Sequence, residues 1–252
     1  MAKIALSFDV EPDLHTNQYL SIEKGLIIIK KILDKHNVKG TFFATCDCIE
    51  KYPQLFKNLE NEGHEIALHG YRHERFDDLT QEEKEEAIKK SILVFEKYLK
   101  QKPKGFRAPQ HSIDKETIKL LEKYDFKYDS SKTPLNILQL IFFPTKKGCF
   151  FSKPSKYKIG KLTEIPSTSL LIPFVSLVLR VFPRILQKLY LLSLRFFFKE
   201  IIFYAHSWDF IEVKKSKLDR FFPHKKVIKS LYSLIDDLKK QDSFVKIEEL
   251  IK

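Results

Sequence analysis

Apolar runs that stop abruptly on charged or titratable residues recur along this chain, with stretches of helical spacing between them. The run Lys3-Ile4-Ala5-Leu6-Ser7-Phe8-Asp9-Val10-Glu11 has strand character and ends in two carboxylates, followed by Pro12. Thr41–Thr45, Glu65–His69, Gly105–Ala108, Phe126–Asp129, Leu162–Ile165 and Ile201–His206 read as further strands. From Tyr19 to His36 the apolar residues Leu20, Ile22, Leu26, Ile29, Ile32 and Leu33 fall on a helix face. A short helix from Pro53 to Glu62 stops at Gly63. Thr80-Gln81-Glu82-Glu83 is a capping box opening a helix to about Gln101, and Ser112 or Asp114 caps another through Tyr124. Lys225 to Lys240 reads as a helix, Phe244 to Ile247 as a last strand, and Lys132 to Lys161 as loop-rich.

Strands alternating with helices at this spacing imply βαβ units and a parallel sheet. About seven such units without a linker predict an α/β fold: a TIM-like barrel or a nearly closed one, as a single domain over residues 1–252. An open doubly wound sheet is the competitor, weakened because no glycine-rich phosphate loop follows the first strand. In a parallel barrel the C-terminal strand ends share one face. Asp9, Glu11, His69, Arg107, Asp129 and His206 all sit at such ends.

Composition narrows the picture. The 252 residues are 43% hydrophobic, enough for one substantial core, and contain only seven glycines and no low-complexity tract. Three cysteines, Cys46, Cys48 and Cys149, argue against a disulfide framework. The apolar run at the N-terminus is too short for a signal-peptide core, so the default expectation is a cytoplasmic location. The net charge of +12 comes mostly from scattered lysines, and no nucleic-acid recognition motif accompanies it. An anionic substrate or membrane surface suits that charge better than nucleic acid.

His69-Gly70-Tyr71-Arg72-His73 is the sharpest local pattern. Histidines four apart on a helical turn reach one cation, and an acidic oxygen completes a two-His, one-carboxylate set with positions open to water. The bland reading is a pair of surface or capping histidines. Arg107 among carboxylates would orient one and keep it ionised. Asp129, by itself, is an ordinary helix cap and His206 an ordinary core histidine.

In this order the motifs resemble the polysaccharide deacetylase family, which includes the nodulation-type chitooligosaccharide deacetylases. Ser7-Phe8-Asp9-Val10-Glu11 resembles the first motif, in an Asp-Val-Asp/Glu form. His69 to His73 resembles the second, Arg107-Ala108-Pro109 the third, Tyr128-Asp129-Ser130-Ser131 the fourth, and the His206 strand the fifth. The resemblance implies a distorted (β/α) barrel and metal-dependent removal of acetyl groups from N-acetylated sugars. It implies that His69 and His73 bind a divalent metal, usually zinc, with Asp9 the general base and Arg107 fixing Asp9. His206 is then the general acid, and Asp129 tunes it. Glu11 is assigned to the metal, with Asp13 or Asp9 as alternatives. Gln110 replaces an aromatic common in the family, its backbone N–H is a candidate oxyanion donor, and His15 is a further pocket candidate. Chemically, a metal lowers the pKa of bound water to around 7 and polarises the acetamide carbonyl, and an imidazolium protonates the leaving amine. A hydrolase of a non-sugar linear amide or ureide, and a non-catalytic binding relic of the fold, are the other readings.

From Phe174 to Phe198 the chain is dense in Phe, Leu, Val and Ile, with Arg180, Arg184, Lys188 and Arg195 spaced as one helical stripe and Pro183 as a kink or boundary. The plainer expectation is an outer barrel helix with its basic stripe in water. The alternative is an interfacial helix in peripheral contact with a membrane.

Overall fold

A computed structural model describes residues 1–13, 16, 18–137, 151–212 and 221–251. Its central strand, β1 (Lys3–Val10), is buried at every residue after Lys3. A strand buried on both faces must be apolar throughout and paired along both edges. One edge pairs in parallel with β10 (Glu200–His206), from Lys3 opposite Glu200 to Asp9 opposite His206. Along the other edge, Ser7 to Val10 pair with β2 (Thr41–Ala44), and Lys3 to Ala5 pair with β11 (Ser243–Val245). The sheet continues in parallel through β3 (Glu65–Leu68), β4 (Gly105–Phe106), β5 (Tyr128–Asp129) and β7 (Leu162–Glu164). It ends in β6 (Tyr157–Ile159), antiparallel to β7.

Among the described residues, seven parallel strands thus lie in line, with β6 and β11 added. No strand pairing among the described residues closes the barrel between β7 and β10. The segment 165–175, with the short antiparallel pair β8 (Ser169–Leu170) and β9 (Ile172–Pro173), fills that seam: Thr168 N–H donates to Ile202 O at 3.2 Å, and Tyr204 N–H to Phe174 O at 3.2 Å. Ile202 N–H donates to Thr168 Oγ1 at 2.8 Å. The fold is a distorted, incomplete (β/α) barrel.

Alternate strand residues point inward, which stacks the interior in layers. Ala5, Phe43, Ala67, Tyr128 and Ile202 form the apolar middle. Gly105 makes room for it, since a Cβ there would fall 2.0 Å from Tyr128 Cζ. Below, Thr41 Oγ1 and Tyr128 OH each donate to Glu65 at 2.7 Å. The turn Ile247–Leu250 closes this floor, with Ile247 N–H on Thr41 Oγ1 and Glu248 N–H on Glu65. Burial raises the Glu65 carboxyl to about 7 despite these donors. Above the apolar middle the inward positions become Asp9, His69, Arg107 and His206. The larger core lies outside the barrel, between sheet and helices, where Phe8 stacks on Phe42 at 5.3 Å.

The helices follow the pattern with shifts at their ends. Ser21–Leu26 is wound as a π-helix that runs into the α-helix Ile27–His36. Thr80 makes the expected capping box for Gln81–Leu99, and Asp114, not Ser112, caps Lys115–Lys123. Cys46 and Cys48 are buried free thiols in the helix Cys46–Lys51, and burial pushes both pKa values up, as for structural cysteines. Cys149 and His15 lie outside the described residues. The segment 174–198 is two helices, Ser176–Val181 and Arg184–Phe197, separated by Phe182 and Pro183.

Of the basic stripe expected in water, only Lys188 is exposed, with Nζ 4.0 Å from Asp237 Oδ2. Arg180 is buried and donates from Nη2 to Asp209 O at 3.2 Å. Arg184 pairs with Asp237, and Arg195 Nε lies 3.3 Å from Asp242 Oδ2, so both guanidinium groups turn toward the helix His224–Lys239 and the turn after it. The acids that draw these arginines inward stand some fifty residues away in sequence, beyond the reach of a periodicity argument.

Candidate active site

β1 carries Asp9 and Glu11 to the barrel rim, and β3 ends immediately before His69. Glu11 Oε2 lies 3.4 Å from His69 Nε2 and 2.5 Å from His73 Nε2. The histidines do not share a helical turn. The chain folds back through Gly70 (φ +83°) and His73 (φ +62°), both left-handed. The Glu74 carboxylate holds this loop by accepting Tyr71 N–H at 2.9 Å and Arg72 N–H at 2.6 Å. A left-handed non-glycine residue is costly and persists where its surroundings enforce it.

His69 Nδ1 lies 2.7 Å from Arg107 O. A carbonyl only accepts, so in neutral His69 the proton sits on Nδ1 and Nε2 presents its lone pair to the cluster. Glu11 Oε1 accepts from Trp208 Nε1–H at 2.8 Å, while Oε2 is buried and makes no hydrogen bond. Burial alone would raise the Glu11 pKa, but His69 and His73 hold it well below the usual carboxylate range. One oxygen without a hydrogen bond facing two imidazole nitrogens is the donor set of a two-His, one-carboxylate cation site. Asp13 does not join it. Its oxygens accept Leu20 N–H at 3.0 Å and Ser21 N–H at 2.6 Å.

A second group, Asp34, Glu62 and His64, also brings ligand-type atoms together. Its chemistry differs. His64 Nδ1 accepts Gly40 N–H at 3.1 Å, so the neutral ring carries its proton on Nε2, and Lys30 binds both carboxylates at 2.7 Å.

Arg107 is fully buried and ties the rim together. Nη1 donates to Asp9 Oδ1 at 2.7 Å, Nη2 to Ser7 Oγ and Ser130 Oγ at 3.1 Å each, and Nε to Ser130 O at 3.1 Å. The guanidinium also lies 4.0 Å from the Phe43 ring centroid. Burial pushes the Asp9 pKa up, but Arg107, His69 and His206 together bring it below its ordinary value. Asp9 Oδ2 stands 4.0 Å from His69 Nε2, on the edge of the donor cluster.

His206 ends β10 beside Asp9. Its ring stacks on Trp208, with centroids 4.3 Å apart and planes 15° from parallel. Its carboxylate partner is Asp209, not Asp129. Asp209 Oδ2 lies 3.5 Å from His206 Nδ1, accepts His206 N–H at 2.9 Å and is anchored by Ser176 Oγ at 2.6 Å. Asp129 instead accepts from Ser131 Oγ at 2.5 Å and faces Glu164, and burial of that carboxyl pair raises both pKa values. A strand-end position did not reveal which carboxylate faces His206. Burial would depress the imidazole, but Asp209, Glu11 and Asp9 raise it to about 9. A cation held by Glu11 would oppose that attraction and bring the value down. Asp209→Asn should therefore lower the His206 pKa, and an NMR titration of the imidazole should show the midpoint moving to lower pH. An unmoved midpoint would remove Asp209 from this role.

A family model described as polysaccharide deacetylase matches residues 2–128. This chain belongs to the polysaccharide deacetylase family. A peptidoglycan-N-acetylglucosamine deacetylase of Bacillus cereus is 33% identical over 128 residues, covering 50% of this chain and 42% of that protein. The chain spans 32% to 42% of the length of three curated relatives it matches. Among solved structures, one described as a putative polysaccharide deacetylase from Mycobacterium smegmatis superimposes with a TM-score of 0.72 at 19% identity. That match covers 99% of this chain and 88% of the other. A CE4-family pseudoenzyme from Bacillus anthracis superimposes with a TM-score of 0.63 at 17% identity, covering 100% and 66%. The fold by itself therefore carries no activity.

In this member of the family several site neighbours escaped the sequence reading. Trp208 bridges Glu11 and His206, and Asp209 follows His206 at i+3, a spacing that could have signalled it. His111 lies 2.8 Å from Ser131 O through Nδ1 and 3.2 Å from Tyr204 OH through Nε2, linking the fourth motif to β10. Gln110 and His111 have φ of +53° and +57°, a strained bend directly after the third motif.

Proposed function

We propose that this protein is a metal-dependent carbohydrate N-deacetylase that hydrolyses the acetamide of an N-acetylated sugar to a free amine and acetate. The observation that carries the reading is the convergence of Glu11 Oε2, His69 Nε2 and His73 Nε2 beside an aspartate held by a buried arginine. The same class of substrate is named for the Bacillus cereus relative.

Glu11, His69 and His73 would hold the divalent ion, with zinc favoured by the two imidazoles. Such an ion supplies a more acidic water and polarises a carbonyl oxygen. The rest falls to side chains of the chain itself. Asp9, ionised and fixed through Oδ1 by Arg107, has Oδ2 free to take the proton of the attacking water. His206 engages Asp209 through Nδ1, which leaves Nε2–H to protonate the departing amine. Trp208 holds the His206 ring in plane against its own indole and fixes Glu11 at the same time.

The test is acetate release from N-acetylglucosamine oligomers by metal-loaded protein, with and without chelator, against small linear amides and ureides. Chelation is expected to abolish release, and zinc to restore it. Glu11→Gln is expected to weaken zinc binding at least tenfold by calorimetry. Zinc affinity equal to wild type would take Glu11 out of the site. A protein that binds zinc through His69 and His73 but releases no acetate from any N-acetyl sugar would overturn the deacetylase reading.

A further inference from the structure

The helix Arg184–Phe197 turns an apolar stripe to solvent. Ile185, Leu189, Leu192 and Phe196, at steps of four, three and four, lie on one face with Leu186 and Phe197 beside them. These six side chains are between 45% and 83% exposed. At about 200 Å² for a whole large side chain they expose roughly 700 Å² of apolar surface on that side of the helix. That is the upper end of what a monomer leaves to water, and patches of this size are commonly functional. Only Gln187, Leu191 and Leu194 of the helix are buried. The outward face is therefore more apolar than the inward one, the reverse of an ordinary packed helix.

Charge identifies the occupant. Residues 165–199 contain no Asp or Glu, and residues 184–199 carry Arg184, Lys188, Arg195 and Lys199. The neighbouring stretch 224–242 adds five lysines against three aspartates, so the two together hold half of the chain's net charge of +12. Arg184 and Arg195 turn inward onto Asp237 and Asp242, so the cations exposed along the stripe are Lys199 and Lys188, whose Nζ lies 4.0 Å from Asp237 Oδ2. A second copy of this surface would bring like charges together across an apolar contact. An anionic bilayer satisfies both halves, with acyl chains under the stripe and headgroups against the cations. At 14 residues the helix is ~21 Å long, short of the ~30 Å hydrocarbon core. Among the described residues no helix is long and apolar enough to cross a membrane. The geometry is that of a helix lying in the interface.

We infer that Arg184–Phe197 is a docking surface for an anionic lipid bilayer. It is joined to the site through the helix before it: Ser176 donates to the Asp209 carboxylate that faces His206, and Arg180 to the Asp209 backbone carbonyl. The surface stands whatever the chemistry of that site.

The test is co-sedimentation of the purified chain with phosphatidylcholine vesicles, with and without phosphatidylglycerol. Binding is expected only with the anionic lipid, and raising the salt should weaken it. The variant Leu189→Gln/Leu192→Gln/Phe196→Gln should bind at least tenfold more weakly while keeping the wild-type circular dichroism spectrum and Tm. Leu93→Gln, an exposed apolar position on another helix, should bind as wild type does. Absence of binding to anionic vesicles, or equal binding by the triple variant, overturns the proposal. So does a lipid-free dimer in sedimentation equilibrium that the triple variant dissolves, since it would assign the stripe to a second copy.

Discussion

Arg107→Met is expected to destabilise the protein by about 3–5 kcal/mol, the cost of leaving one member of a buried ion pair without its partner. For a chain of this size that is a fall in Tm on the order of 10 °C. The arginine is fully buried, and its removal strands Asp9 and takes a donor from the hydroxyls of Ser7 and Ser130. The effect carries a pH signature. In the wild type the Asp9 pKa is depressed, so its contribution to stability is present above the unfolded value of about 3.9 and is lost as acid protonates it. In the variant, Asp9 is buried without its cation and its pKa moves up. The gap between the two proteins should therefore narrow on acidification from pH 7 toward pH 4. Denaturant melts at the two pH values check this. A gap that stays constant would mean that packing, not charge, is what Arg107 supplies.

The largest effect on turnover is expected at His206. His206→Ala should leave zinc content unchanged, because the ring is not among the converging donor atoms, yet lower kcat by ~100-fold or more. The wild-type kcat should fall on the alkaline side as the imidazolium deprotonates, since its pKa is raised and the acid form prevails at lower pH. Asp209→Asn should bring that limb to lower pH, while His206→Ala should abolish it. The same raised pKa contributes stability that is complete below about 6.5 and lost as the pH climbs toward 9. Wild-type turnover in His206→Ala, with an intact alkaline limb, would place the acid elsewhere.

Much of this was legible in the sequence because burial and reactivity obey opposite rules along a parallel strand. The interior demands apolar residues and the rim does not. The points where Ser7-Phe8 yields to Asp9, Leu68 to His69, Phe106 to Arg107 and Ala205 to His206 therefore mark the rim directly. What the sequence left obscure lies in irregular chain. His73 reaches Glu11 through a loop that depends on Gly70 and a left-handed His73, where spacing suggested a helical turn. The family resemblance implied that Asp129 tunes His206, but a bend after β10 returns Asp209 to the ring instead. Helical periodicity marked out the apolar stretch around Arg184 but not which way it faces. That depends on Asp237 and Asp242, carried by chain some fifty residues further on.

The pairing of β1 with β10 also makes the site depend on contacts between the two ends of the chain. Ser7 reaches its acceptor, Phe203 O, across 196 residues, and β11 comes from still further along. The entropy of closing so long a loop grows only logarithmically, but the search for such a contact is slow. Until it is made, one edge of the strand bearing Asp9 has no partner. Asp9 and His206 therefore stand side by side only once the C-terminal part of the chain has joined the N-terminal strand.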